Sequence, residues 1–232
     1  HLIKNLKALV AAGHCLAGLD RLGTAALAAL ADILADQVLA DGCHFERSPA
    51  YHFQVLCDLV DLRALMVLTA AGTPPWLDGA IGRMAPALTF FRLGDGGLAL
   101  FNDGDVGDPA RLACLDELLG GPAEAPETLG EAGYHRLAAG DAVALMDAGR
   151  CCPDDLPAHA HADTLAFEFS VSDARMIVNC GTYAYQDAAW RNRLRGTAGK
   201  HMTTVAGASG ALVQANGEAA ATLFGAATTT SM

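Results

Sequence analysis

The spacing of apolar residues changes near Gly72-Thr73-Pro74-Pro75, and this change limits the folds open to the chain. Before this point, apolar residues recur at three- and four-residue intervals in successive stretches, one of which contains Leu27, Leu30, Ile33, Leu34 and Val38. Gly13, Gly23 and an Asp41-Gly42 turn separate the stretches. The pattern predicts antiparallel helices with short connections, as in a helical bundle or an α/α toroid.

Beyond Pro75 the pattern predicts one more helix, over residues 77–91, and then a change to β-structure. A short helix is expected over residues 110–119, and the residues after about 206 are poor in large apolar side chains. Short apolar segments between turn residues predict strands. These segments are Leu98–Phe101, Tyr134–Leu137, Ala142–Asp147, Thr164–Ser170 and Arg175–Asn179.

Composition excludes several classes of protein. Apolar residues make up 52% of the 232, so a disordered chain is excluded. A formal net charge of −11 argues against non-specific nucleic-acid binding, and no apolar run reaches the ~18 residues of a membrane span.

The chain begins at His1 without an initiator Met or a signal-like segment, so we interpret it as a fragment. Its seven cysteines contain no CxxC pair, and we expect Cys15, Cys57 and Cys180 to be buried thiols.

Reactive side chains are concentrated in residues 42–52. Ser48 followed by Pro49 predicts a helix start, with Ser48 as the N-cap. Tyr51 then lies in the first helical turn, where the helix dipole favours an anionic phenol suited to removing a proton. The alternative is that Tyr51 only packs under the preceding loop. His44 and Arg47 offer positive charge to an anionic ligand.

A second concentration is the segment from His159 to Asp163. In an extended chain His159, His161 and Asp163 point to one face, which suits a metal or proton transfer. Farther on, arginines alternate at residues 191, 193 and 195. On a strand they form one cationic face, which either receives a polyanion or is a solvated edge.

Five segments together resemble the heparinase II/III family of polysaccharide lyases. They are His1–Leu9, His44–His52, His159–Ser170, Ile177–Tyr185 and Arg195–His201. The resemblance implies an α+β chain, in which the end of an (α/α) toroid helical domain (residues 1–92) precedes an antiparallel β-sandwich domain (residues 93–232). It also implies β-elimination on a uronic-acid-containing polysaccharide similar to heparan sulfate or alginate.

The resemblance also implies roles for individual residues. Tyr51 and His159 match the catalytic pair, and His1 lies in the helix that supplies a group neutralising the substrate carboxylate. The candidates for substrate binding are His44, Glu46, Arg47, His52 and Arg195. No cofactor is required, and some family members hold a structural zinc at positions that match His161, Asn179 and His201. Because an amide is a poor zinc ligand, we expect the zinc to be weak or absent.

Two other functions stay open from the sequence. One is a carbohydrate-binding relative that has lost catalysis, to which Asn179 and Lys4 point, and the other is a metal-dependent hydrolase built on the His-x-His strand. The expected partner is an anionic polysaccharide rather than nucleic acid. The family resemblance implies the periplasm or cell envelope, whereas cysteine usage favours the cytoplasm. The sequence does not specify an oligomeric state.

Overall fold

The computed structural model describes residues 2–149, 160–161, 163–183 and 186–196. Four helices occupy the first part of the chain. They are α1 (Leu2–Cys15), α2 (Asp20–Gln37), α3 (Pro49–Leu68) and α4 (Pro75–Phe90). The helical periodicity predicted from the sequence is therefore confirmed, and α4 begins two residues earlier than expected.

Beyond α4 the described chain forms one helix, one sheet and a short last helix. Helix α5 (Pro109–Leu119) precedes the strands, and α6 (Ala188–Arg195) follows them. The strands are β1 (Thr128–Leu129), β2 (Tyr134–Ala139), β3 (Ala142–Asp147), β4 (Phe167–Val171) and β5 (Ala174–Ile177). They pair antiparallel in chain order, β1-β2-β3-β4-β5. The second sheet that a sandwich needs is not among the described residues.

Helices α1 and α2 pack with their backbones in contact at two glycines. A Cβ added to Gly13 would lie 2.5 Å from the Gly23 Cα, a distance that no side chain tolerates. Helix α3 lies against α1, where Lys7 donates to Asp58 at 2.9 Å and to Asp61 at 2.6 Å. Ten of the 20 residues of α3 are buried, which makes it the central helix of this layer.

An aromatic cluster joins the helices to the sheet. Phe90 and Phe91 from the end of α4 meet Tyr134 of β2, with the rings of Phe91 and Tyr134 centred 5.0 Å apart. The centre of the Phe101 ring lies 5.2 Å from that of Tyr134. All four side chains are fully buried, so one apolar core runs from the helical layer into the sheet. The domain division at residue 92 stays a prediction.

One segment predicted as a strand, and a second considered as a strand, have other structures. Leu98–Phe101 joins no sheet beyond one isolated bridge between Leu98 and Arg92, because its N–H groups bind separate acceptors. Leu98 donates to the Val106 carbonyl at 2.9 Å, and Leu100 donates to the Glu168 carboxylate at 2.8 Å. The second segment, with its alternating arginines, forms helix α6.

Two of the cysteine predictions are wrong. Cys15 and Cys180 are exposed, and Cys57 is half-buried. None of the helices in the described ranges is both long and apolar enough to cross a membrane. The residues after about 206, which the sequence marks as irregular, lie outside the described residues.

Candidate functional site

The loop before α3 delivers Tyr51 to the first turn of the helix, as predicted. Pro49 is the first helical residue, and the Ser48 hydroxyl accepts a hydrogen bond from the Tyr51 backbone N–H at 3.4 Å. Arg47 takes a left-handed conformation with φ of 59°, which turns the chain into the helix. Such a backbone angle is uncommon for a residue with a side chain, so surrounding contacts must hold it.

Tyr51 is half-buried, and its ring lies edge-on to His44 with the centroids 5.0 Å apart. Burial raises the pKa of Tyr51, and the negative charges of Glu46 and Asp58 raise this pKa further. The expectation that the helix N-terminus favours the phenolate is not met, because desolvation and two carboxylates favour the neutral phenol. The resting form of Tyr51 is a neutral phenol, which can donate a proton.

Both histidines of this motif lie in the interior. His44 donates its backbone N–H to His52 Nδ1 at 3.2 Å, and its ring Nε2 lies 3.4 Å from the Gln37 amide oxygen. His52 uses its other ring nitrogen to donate to the Met84 carbonyl at 3.0 Å. Burial lowers the pKa of His52 to about 4, so this imidazole is neutral near pH 7. A buried ring with both nitrogens used does not fit the substrate contact predicted for His52.

The Arg47 side chain enters a buried group that we call the Arg47 junction, formed by Arg47, Ala132, Tyr134 and Asp147. Its guanidinium pairs with Asp147, donates to the Ala132 carbonyl at 2.7 Å and lies 4.9 Å from the centre of the Tyr134 ring. The Tyr134 hydroxyl in turn donates to the Arg47 carbonyl at 2.8 Å. The candidate substrate ligand Arg47 is thus buried and tied to the sheet.

Asp41 also contacts the Arg47 junction. It accepts from the Ala132 N–H at 2.8 Å, so both backbone polar groups of Ala132 bind side chains of the loop before α3. Burial raises the pKa of Asp147, and the charge of Arg47 opposes this rise. A side chain at residue 149 would meet the Arg47 guanidinium, because a Cβ on Gly149 would lie 2.5 Å from it.

Asn102 links this junction to the segment that contains His161, and the sequence analysis missed it. Its amide nitrogen donates to the Tyr134 hydroxyl at 3.0 Å, and its amide oxygen accepts from the His161 N–H at 3.1 Å. Its own N–H donates to the Asp163 carboxylate at 2.5 Å. Asn102 and Asp103 both have positive φ, a conformation that Asn and Asp tolerate better than most residues. The Asn-Asp-Gly run was the signal available in the sequence.

His161 and Asp163 are buried, but they do not share a face of one strand. His161 Nε2 lies 3.0 Å from an Asp103 carboxylate oxygen, whereas Asp163 holds the Asn102 N–H. Strand β4 begins only at Phe167, so the alternation of a strand does not apply to this segment. The predicted common face of these two residues is therefore wrong.

The predicted zinc ligands are only partly described. The Asn179 amide donates to the Glu168 carboxylate at 3.0 Å, and burial raises the pKa of Glu168. Within the described ranges, no group of three His, Cys, Asp or Glu side chains is placed to hold a metal. The ligand roles predicted for His161 and Asn179 stay predictions. His201 lies outside the described residues, and a weak or absent zinc stays a prediction.

Three further site predictions have mixed outcomes. Arg195 lies near the end of α6 and donates through Nε to the Ala160 carbonyl at 2.7 Å, beside His161. His1 and His159, the other two proposed catalytic residues, lie outside the described residues. Their predicted roles stay predictions.

Comparison with known proteins defines the class to which this architecture belongs. The fold matches that of the heparinase III crystal structure with a TM-score of 0.72 and 18% identity, over 88% of this chain and 38% of that one. A heparan sulfate lyase, HepC from Pedobacter heparinus, matches with a TM-score of 0.66 and 21% identity, over 83% of this chain and 35% of that one. The α+β fold class predicted from the sequence is confirmed.

Sequence comparison confirms the resemblance to the heparinase II/III family. Residues 121–229 match the family model described as heparinase II/III-like, C-terminal. The chain is also 37% identical over 175 residues to FtsZ-localized protein C of Caulobacter vibrioides (strain NA1000 / CB15N), a match that spans 73% of this chain and 30% of the relative. The chain therefore spans about a third of the length of the proteins it matches.

Proposed function

We propose that the full-length protein is a polysaccharide lyase that cleaves a uronic-acid-containing polysaccharide by β-elimination, with Tyr51 as a proton-transfer group. The observation that carries the proposal is the placement of Tyr51. It is a half-buried phenol, fixed in the first turn of α3 by the Ser48 cap and in ring contact with His44. The match to the heparinase II/III-like C-terminal model supports the class of reaction.

β-Elimination makes three demands on a protein. A base removes the proton at C5 of the uronate, positive or hydrogen-bonding groups neutralise its carboxylate, and an acid protonates the departing glycosidic oxygen. The raised pKa of Tyr51 keeps its proton in place near neutral pH and suits the last of these steps. His159 is the sequence-based candidate for assistance with proton transfer, and His1 is the candidate for carboxylate neutralisation.

The test measures the ultraviolet absorbance of the unsaturated uronate product with full-length protein on alginate and on heparan sulfate. Tyr51→Phe should lower turnover by roughly 10²–10⁴-fold, since it removes only the hydroxyl. His14→Gln, an exposed change at the end of α1, is the matched control and should keep full activity. Product formation at the normal rate by Tyr51→Phe would exclude the proposed role.

A second candidate is a non-catalytic carbohydrate-binding protein that localises with FtsZ. The 37% identity to FtsZ-localized protein C favours it, because this relative is more similar in sequence than the lyases of known structure. A fluorescent fusion of the full-length protein, imaged together with FtsZ, tests the location. Co-localisation with no unsaturated product on any uronate polymer would favour this candidate over the lyase.

A further inference from the structure

Helix α6 and Tyr183, which precedes it in the chain, form an aromatic and cationic surface that the proposed role of Tyr51 does not use. Tyr183 and Trp190 have exposed fractions of 65% and 43%, and their ring centroids lie 5.4 Å apart in an edge-to-face arrangement. The Arg193 guanidinium lies over the Trp190 ring, 5.8 Å from its centroid. We call these three residues the α6 platform.

Local structure explains why the three side chains meet. Asp187 caps α6 by accepting hydrogen bonds from the N–H groups of Ala189 and Trp190, at 2.9 and 3.2 Å. A residue pair three positions apart lies on one face of a helix, which brings Arg193 to Trp190. The other end of α6 is attached to residue 160 through Arg195. Both ends of the helix are thus fixed by hydrogen bonds.

Tyr183 and Trp190 of the α6 platform are more exposed than large aromatic side chains usually are. Large aromatic side chains usually bury most of their area, and two in contact at the surface leave apolar ring area in water. An apolar protein partner is a poor fit, because the helix around these rings is polar, with Arg191, Asn192, Arg193 and Arg195 among its eight residues. A ligand that matches must offer both an apolar face and an anionic group.

A uronate ring has that combination. The C–H groups on the face of a pyranose pack on an aromatic ring, while the carboxylate accepts hydrogen bonds from a guanidinium. The chain carries a net charge of −11, so cationic groups concentrated on one helix mark a local site for a polyanion. Asp187 is the nearby acidic residue on this helix, and its carboxylate is used in capping.

We propose that Tyr183, Trp190 and Arg193 form a binding subsite for one uronate residue of an anionic polysaccharide. The rings take the face of the sugar and Arg193 takes its carboxylate. The proposal deepens the proposed function and rests on its choice of ligand class, but it requires no catalysis by Tyr51.

The experiment measures equilibrium binding of polygalacturonate to the full-length protein, with neutral dextran as the uncharged comparison. Wild-type protein should bind the charged polymer in preference to dextran. Trp190→Ala should weaken binding about tenfold, and Trp190→Phe should retain most of it because an aromatic face remains. Arg193→Gln should weaken binding and reduce its dependence on salt. Arg21→Gln, an exposed arginine change on α2, should leave binding unchanged.

The outcomes separate this proposal from the lyase. Binding that depends on Trp190, with no unsaturated product from alginate, heparan sulfate or polygalacturonate, would support the platform and overturn β-elimination. Lyase activity with binding unaffected by Trp190→Ala would overturn the platform alone. Equal affinity of wild-type protein for dextran and polygalacturonate would also overturn it.

Discussion

The Arg47 junction and the α6 platform are built from the same contact, an arginine over an aromatic ring, in opposite surroundings. Arg47 lies 4.9 Å from the Tyr134 ring with its charge paired to Asp147, and the whole group is buried. Arg193 lies 5.8 Å from the Trp190 ring at the surface. In the first case every surrounding group is protein, so the contact holds two layers together. In the second the ring and the guanidinium face solvent, so they are open to a ligand.

The largest effect expected is the loss of the carboxylate in the Arg47 junction. Asp147→Ala leaves a buried guanidinium without its counter-charge, which should lower the free energy of unfolding by about 3–5 kcal/mol. Urea denaturation measures this change. Asp173→Ala removes an exposed aspartate in the turn between β4 and β5 and should cost about 0.5 kcal/mol or less. Equal costs for the two variants would show that the junction does not hold the layers together.

Protonation of buried His52 at low pH should lower the free energy of unfolding. The pKa of His52 is about 4 in the folded protein and ~6.5 when unfolded, so the unfolded state takes up a proton first as the pH falls. The contribution of His52 to the free energy of unfolding is thus fully present above pH ~6.5. It falls by ~3 kcal/mol as the pH is lowered to about 4. Denaturation at a series of pH values should show a shallower loss for His52→Gln than for wild type. His135→Gln, an exposed change, should keep the wild-type slope.

Asn102→Ala should have an intermediate effect. The substitution removes the amide that joins Tyr134 to the His161 backbone and leaves a buried N–H without its acceptor, at a cost of about 1–3 kcal/mol. Thermal unfolding followed by circular dichroism measures the loss. Asn5→Ala, at an exposed position of α1, is the control. A neutral result for Asn102→Ala would mean that water replaces these bonds and that the link from the junction to His161 is weak.

The smallest effect on stability is expected at the platform. Arg193→Ala removes an exposed cation–π contact and should change the free energy of unfolding by about 0.5 kcal/mol or less, while it weakens binding of polygalacturonate. The same urea titration used for Asp147→Ala measures it. A destabilisation as large as that of Asp147→Ala would place Arg193 among the structural arginines and remove the contrast between the two regions.

The sequence predicts structure well where a short-range signal decides it. Ser48-Pro49 predicts the start of α3 correctly because capping depends on neighbouring residues alone. The helix over residues 110–119 is likewise confirmed as α5, between an Asp108 cap and Gly120 in the left-handed conformation. The hairpin of β2 and β3 follows from alternation and a glycine turn.

Predictions fail where a distant partner decides the outcome. Leu98–Phe101 has the composition of a strand, but its N–H groups bind Val106, Phe91 and the Glu168 side chain in place of a strand ladder. The alternating arginines form a helix because Asp187 caps it, and alternation of charge without apolar alternation is a weak sign of a strand. The raised pKa of Tyr51 follows from burial and from two carboxylates, which the sequence does not place beside it.

The two hydrogen bonds to the backbone of Ala132 restrict where residues can be inserted into the chain. The loop before α3 holds Ala132 through two side chains, since Asp41 accepts from its N–H and Arg47 donates to its carbonyl. An inserted residue in the loop before α3, or in the loop that contains Ala132, would break one of these two hydrogen bonds. Surface loops are ordinarily the places where insertions are tolerated. In this protein such tolerance is expected after α5, beyond Gly120 and Gly121, which have positive φ and must themselves stay glycine. A label or linker therefore belongs at that turn, and the loops that meet at Ala132 must keep their length.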